Sequence, residues 1–375
     1  MQILSCRLNV KYWGRASARY NPMRFTASCL LLFASVGMAQ VKYTISTLAA
    51  GESAHLWEPS SIAVGPSGGI FIADTDMNRV LRVTRSGLFS TVAGKGNPIL
   101  RIEGSGPPPQ FSGDGGPATS ADLDRPTGVA VDAQGNIYIS DQLNNRIRKV
   151  TNDGRIRTIA GTGKTGYGGD NGPALKANLA HPMGVAVDAN GNVYVADREN
   201  NRIRKISVDG TIRTVVGSGR QGQSGNGPAL SINLDFPHGV AIDAMGTLYV
   251  ADTFNHRIRR LDPDGVVRVV AGTGKQEFIG DGGPAIQAGL GAPDSLAIDA
   301  DGNIYIADRA NWRVRKITKD GSIYTVAGNH DSGFYGDGGP ALLAPIFPTS
   351  VAVGPEGVVY LTDHNRVRLL TPDKE

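Results

Sequence analysis

Cysteine is nearly absent. The 375-residue chain holds two, Cys6 and Cys29, both within the first 39 residues. The rest of the chain can form no disulfide, no thiolate zinc site and no cysteine nucleophile. Aromatic residues are scarce at 6% and charged residues at 19%, and no apolar run is long enough to span a bilayer as a permanent anchor. A net charge on the body of the protein is missing too. Five of the 38 basic residues (Arg7, Lys11, Arg15, Arg19 and Arg24) lie in residues 1–39 among no acids, which leaves 33 bases facing 34 acids. That balance gives no footprint for a nucleic-acid backbone. What the chain has in quantity is Gly (50) and Pro (21), a turn-rich composition that points to β-structure and excludes coiled coil and collagen. Its length suffices for one large β domain with a substantial core.

Residues 23–39 read as a signal peptide: Arg24, an apolar run over residues 29–36, then Gly37 and Ala39 as the small residues before a cut at Gln40. Residues 1–22 read as a non-structural extension, Met23 being the more natural start. Cys29 stands at the start of the apolar run and not after it, which argues against a lipid anchor. The mature chain is expected to be exported, periplasmic or extracellular, without a stable membrane anchor.

Self-similarity organises the remainder. Triplets ending in Asp74, Asp141, Asp197, Asp252, Asp308 and Asp363 recur at spacings of 67, 56, 55, 56 and 55 residues. In the third copy, residues 184–188 alternate as a first strand and residues 190–192 make a tight turn where Gly191 supplies positive φ. Residues 193–197, 202–206 and 211–216 give three more strands. Four short antiparallel strands per repeat predict a propeller blade, and six repeats an all-β, six-bladed β-propeller over residues 40–375. The sixth copy stops after its third strand, while residues 42–51 match fourth-strand text such as residues 210–217. The N-terminal strand is expected to close the last blade and remove the exposed edges.

The third copy reads Pro-Met-Gly-Val-Ala-Val-Asp at residues 182–188, Gly-Asn-Val-Tyr-Val-Ala-Asp at 191–197 and Asn-Asn-Arg-Ile-Arg at 200–204. It resembles the NHL repeat. The Gly-Asp-Gly-Gly-Pro-Ala connectors at residues 113–118, 280–285 and 336–341 are similar to those of the NHL propellers of teneurins and of many exported bacterial proteins. The resemblance covers residues 42–370 and implies a fold, not a reaction.

Residues that recur in every blade serve the fold first. The blade Asp series and the Arg series (Arg79, Arg146, Arg202, Arg257, Arg313, Arg366) are expected to pair with each other and with turn amides, since one active site needs one set and six blades need six. Asp132, Asp188, Asp243 and Asp299 are expected to cap their own turns. The connectors carry one carboxylate each, too few for a calcium loop, and no P-loop lysine follows. They read as loop plugs, with Leu175 and Leu179 facing inward. Phe111, Tyr167, Phe278 and Phe334, with Gln223 at the equivalent place, either anchor these loops or present a binding face; anchoring is favoured because aromatics bury large area.

Positions that recur in place but differ in type say more. Ser60, Thr127, Met183, His238, Asp294 and Thr349 each follow the Pro that opens a first strand, or its equivalent. If first strands are innermost, these six meet at the channel mouth, where propellers bind ligands. His238 and Asp294, on adjacent blades, are the candidates for holding a metal, sharing a proton or taking a polar ligand. The resemblance brings in two enzyme types: an amidating lyase with histidines around zinc, which the other five positions do not match, and gluconolactonase-type enzymes with calcium in the channel, for which only Asp294 fits. An insertion at residues 97–109, partly apolar and ending in three prolines, is either a lid or a tolerated loop. The favoured reading is an exported NHL-repeat propeller that acts as a binding scaffold for a protein, peptide or glycan on one face. The alternatives are a channel-mouth enzyme of lactonase or lyase type, using Ca or Zn with His238 and Asp294, and a structural surface-display module. No cofactor is predicted.

Overall fold

The computed structural model describes residues 41–50, 56–84, 86–96, 111–331 and 333–373; the insertion at residues 97–109 and the signal segment lie outside them. Short alternating runs closed by turn glycines fold as four-stranded antiparallel meanders. In the third blade these are Pro182–Val187, Val193–Asp197, Arg202–Ile206 and Thr211–Val216, paired in sequence order. The turn Asp does what its sequence position implies: Asp188 Oδ1 accepts the Asn190 and Asn192 N–H groups at 3.0 and 2.9 Å. Six such sheets are present. In the sixth, Tyr43–Ala50 pairs antiparallel with Arg366–Pro372, from Tyr43 opposite Pro372 to Ala50 opposite Arg366.

The cores lie between blades. Val80 and Ala93 of the first blade pack with Val129 and Ile139 of the second. At the other end of the chain, Ile62 and Leu81 of the first pack with Ala352 and Tyr360 of the sixth, which closes the ring. First strands face the axis and bond to one another: Ser60 Oγ to Thr127 O, Thr127 Oγ1 to Pro182 O, Gly184 N–H to His238 O, and Thr349 Oγ1 back to Pro59 O.

The connectors are rim covers rather than inward plugs. On its way to the axis, each crosses the outer strand of the blade it enters; Gly172–Pro173 pairs with Ile212 and Thr211, and Gly339–Pro340 with Ile45 and Thr44. Proline is tolerated there because the covered rim needs no further donor. The turn that follows is a 3₁₀ helix, in which residues three apart eclipse. Ala174 and Ala177 therefore share the buried side, and Leu175 points outward, 58% exposed, contrary to the expectation that it faces inward with Leu179. Gly169 is required: its φ is +83°, and a Cβ there would lie 2.6 Å from Ala177 Cα.

The partner of the blade Asp also differs from the expected one. Asp141, Asp197, Asp252, Asp308 and Asp363 are met by the second Arg of each third strand, Arg148, Arg204, Arg259, Arg315 and Arg368, all fully buried. Both arginines lie on one face of the strand. In the second blade the first opens the strand opposite the Asp and turns away to the Asn144 and Thr162 carbonyls and the Phe111 ring, while the second reaches back to the Asp carboxylate. In the first blade Leu81 occupies that place, and Arg79 Nε reaches Asp74 at 2.8 Å instead.

A second inter-blade device uses the residue before each of these Arg pairs. Asn78, Asn145 and Asn201 adopt positive φ, and each side-chain oxygen accepts the N–H of the residue preceding the next blade's proline: Arg125, His181 and Phe236. His256 replaces Asn in the fourth blade, and its Nδ1 accepts Ala292 N–H at 3.0 Å. Burial holds the His256 pKa below its ordinary 6.5, against the pull of Asp235. A folded-state value below the unfolded one means this latch contributes stability that is full above the unfolded value and is lost as pH falls through the folded one. Urea midpoints at about pH 7.5 and about pH 5.5 should therefore diverge more in the natural protein than in His256→Asn, which keeps an acceptor that does not titrate.

Candidate binding site at the channel mouth

The strand-opening Pro places the next side chain at the head of an innermost strand, and six blades bring six such side chains round one axis. Ser60, Thr127, Met183, His238, Asp294 and Thr349 all line a single cavity of about 480 Å³. Their chemistry is graded around the ring. On the side of the first, second and sixth blades, hydroxyl groups bond carbonyls of the neighbouring blade: Thr127 to Pro182 O at 3.1 Å and Thr349 to Pro59 O at 3.1 Å. Gln142 Nε2 approaches Met183 Sδ at 3.0 Å.

Across the third to fifth blades runs a charged chain. Arg198 Nε donates to His238 Nε2 at 3.2 Å, His238 Nδ1 lies 3.0 Å from Asp294 Oδ1, and Asp294 Oδ2 lies 2.9 Å from Arg309 Nε. Since Arg is always a donor, Nε2 of His238 is the acceptor and Nδ1 carries the proton given to Asp294. Burial lowers the Arg198 pKa, opposed by Glu199 and Asp294. On the opposite rim Arg125 bridges Asp76 at 2.5 Å and Glu58 at 3.4 Å, and burial raises the Asp76 pKa while Arg125 opposes it.

This donor set does not fit a zinc or calcium ion. Both nitrogens of His238 are engaged, and a guanidinium approaches each end of the His238–Asp294 pair. Among the described residues no group of three or more His, Cys, Asp or Glu side chains is arranged to hold a metal.

Sequence reasoning missed a second ring. The residue after each blade Asp is Thr75, Gln142, Arg198, Thr253, Arg309 or His364, and four of these also line the cavity: Thr75, Gln142, Arg309 and His364. The signal was present in the same form, a position fixed in place and varied in type.

The loop aromatics sit elsewhere. Each lies under the two arginines of its blade's third strand: Arg146 and Arg148 over Phe111 at 3.8 and 4.6 Å, Arg202 over Tyr167 at 3.7 Å, Arg313 over Phe278 at 3.7 Å, and Arg366 over Phe334 at 3.6 Å. None lines the mouth cavity. Stacked rings that remain about 40% exposed tie loop to blade, so Phe278→Ala is expected to cost about 1 kcal/mol, read as a lower urea midpoint. An unchanged midpoint would remove the anchoring role.

Comparison with known proteins agrees with this architecture. The teneurin NHL domain model matches residues 107–167, 162–229 and 262–335, and the NHL repeat model residues 56–82 and 234–261. The chain belongs to the teneurin NHL domain family. It is 32% identical over 287 residues to mouse (Mus musculus) Teneurin-4, covering 68% of this chain and 10% of that protein. It is 29% identical over 314 residues to human (Homo sapiens) Teneurin-1, covering 73% and 11%. The chain thus spans about a tenth of the length of these relatives. Among solved structures, a streptogramin B lyase superposes with a TM-score of 0.54 at 15% identity, covering 88% of this chain and 98% of that one, a likeness of fold alone.

Proposed function

We propose that the chain is an exported NHL propeller working as a binding scaffold, which takes a protein, peptide or glycan at the mouth of its central channel. The observation that carries this reading is a contrast between two kinds of repeated position. Blade Asp and Arg residues, turn Asp residues and most of the loop aromatics keep their chemistry from blade to blade and are satisfied within the fold. The two mouth rings change chemistry from blade to blade, and all six members of the first and four of the second line one cavity. A surface shaped for a ligand, unlike a symmetric frame, has reason to break the repeat. The enzyme alternative needs a free base or a metal, and His238 offers neither lone pair. Export rests on residues 23–39 alone.

Peptide and glycan arrays probed with the protein are expected to yield ligands whose capture falls about tenfold or more in His238→Ala/Asp294→Ala and holds in Phe278→Ala. Capture indifferent to the mouth variants would sink the reading in favour of surface display. His238-dependent turnover of a lactone or peptide ester would replace it with the enzyme.

A further inference from the structure

One seam of the ring departs from the rest, and it adjoins the mouth. Four seams are latched by Asn78, Asn145, Asn201 or His256, and Asn365 latches the sixth blade to the first through Glu58 N–H. Between the fifth and sixth blades the equivalent residue is Trp312, which has no acceptor. Its ring stands 5.1 Å from His330 and 6.2 Å from Phe347, and Phe347 stands 5.2 Å from His364. The sixth blade is also one residue short there: the N–H bonded to its Asp363 lies 16 residues upstream, against 17 in the second blade.

The irregular seam opens as a groove of about 530 Å³ walled by Trp312, Phe334 and Arg366. It shares Phe347, His364 and Asn365 with the mouth cavity, so the two adjoin along those side chains. Beside the shared wall, Arg309 Cζ lies 5.8 Å from the Phe347 ring centre and its Nε is turned to Asp294. No described residue accepts a hydrogen bond from its two terminal nitrogens.

We propose that groove and mouth form one site for an oligosaccharide that carries carboxylates, a uronic-acid chain; this rests on the reading of the mouth as a ligand site. A sugar ring presents a C–H face that suits Trp312 and Phe347, and hydroxyls that suit Asn365 and His364. The open fork of Arg309 matches a carboxylate in two-point geometry. Asp331, the carboxylate in the groove wall, accepts the Tyr335 hydroxyl at 2.8 Å and can take only sugar hydroxyls beside it. A peptide that binds by adding a strand finds the outer edges of the third, fourth and sixth blades already taken by Gly–Pro segments.

The chain has three tryptophans, so Trp13→Phe/Trp57→Phe leaves Trp312 as the sole reporter. In that protein trigalacturonate is expected to change Trp312 emission saturably, and neutral maltotriose to do so at least about tenfold more weakly. Arg309→Gln should weaken the uronate about tenfold at an unchanged melting temperature, with little effect on the neutral sugar. By calorimetry Trp312→Ala should abolish binding, and Trp312→Phe should restore most of it. Absence of saturable binding, equal affinity for the neutral sugar, or indifference to Arg309→Gln overturns the proposal. If uronates fail while an array-selected peptide still depends on His238 and Asp294, the sugar assignment alone falls. If no ligand depends on those two residues, the mouth reading falls as well.

Discussion

A chain lacking residues 41–50 is expected to lose cooperative folding, not to fray at one end. Tyr43–Ala50 is the outer strand of the sixth blade. Ile45 is fully buried and Tyr43 nearly so, within a core that also holds Tyr305 and Val314 of the fifth blade and Leu361 of the sixth. Tyr43 and Tyr305 hydroxyls meet at 3.0 Å. Each large buried side chain contributes about 1.5–3 kcal/mol. With the strand ladder and the cover of Gly339–Pro340 lost as well, the deficit approaches a typical domain's whole stability of about 5–15 kcal/mol. Circular dichroism melts should show a drop of well over about 10 °C or no transition. A synthetic peptide of residues 41–50 added in trans should recover part of it. A melting temperature within about 2 °C of the intact protein would mean the ring does not depend on that closure.

The second large effect lies in the buried ion pairs. Asp197 accepts the Ala180 N–H and Asn200 Nδ2, both at 2.8 Å, and lies 3.1 Å from Arg204 Nη1, with both side chains of the ion pair fully buried. Asp197→Ala leaves the buried Arg204 guanidinium with Asp170 as its remaining acid, 2.7 Å from Nη2, and takes the acceptor from the Ala180 N–H, and is expected to cost about 3 kcal/mol. Arg204→Leu should cost less, because the first blade already pairs Leu81 with an Asp74 held by Arg79. Its pH dependence has a definite sign. Burial pushes the Asp197 carboxyl up to about 6, and the Ala180 and Asn200 bonds and the Arg204 charge act against that rise. Without Arg204 the value climbs further. A folded pKa above the unfolded one gives stability that is present at low pH and lost as pH rises through it. The deficit of Arg204→Leu should therefore shrink from about pH 7 toward about pH 5 in urea titrations. A deficit that grows on acidification, or equals that of Asp197→Ala, would contradict this account.

How far the text of the chain carries can be judged from particular residues. Period-two alternation and the Asp spacing are local, so blade number, closure by the N-terminal strand and the bounds of the second to fourth strands of the third blade were legible, while its first strand runs from Pro182 to Val187 and not over 184–188. Side-chain direction was not. Leu175 points outward because a 3₁₀ turn has three residues per turn, and no spacing rule distinguishes that from an inward helical pair. The Asp partner is the second Arg and not the first because the first is drawn off by loop carbonyls that the sequence does not place. The mouth ring was legible because a strand-opening Pro fixes position in the blade. The Asn latches and their replacement by Trp312 went unread, because only the contacts between blades show what those positions do and that this seam meets the mouth.

The Gly–Pro covers have a consequence for crowded surroundings. In the third, fourth and sixth blades the rim strand is already paired along the Gly–Pro segment, so those edges should resist templating cross-β fibrils in concentrated protein. Replacing Gly339-Pro340 with a segment unable to pair would uncover the Tyr43–Ala50 strand and make the sixth blade a nucleation point.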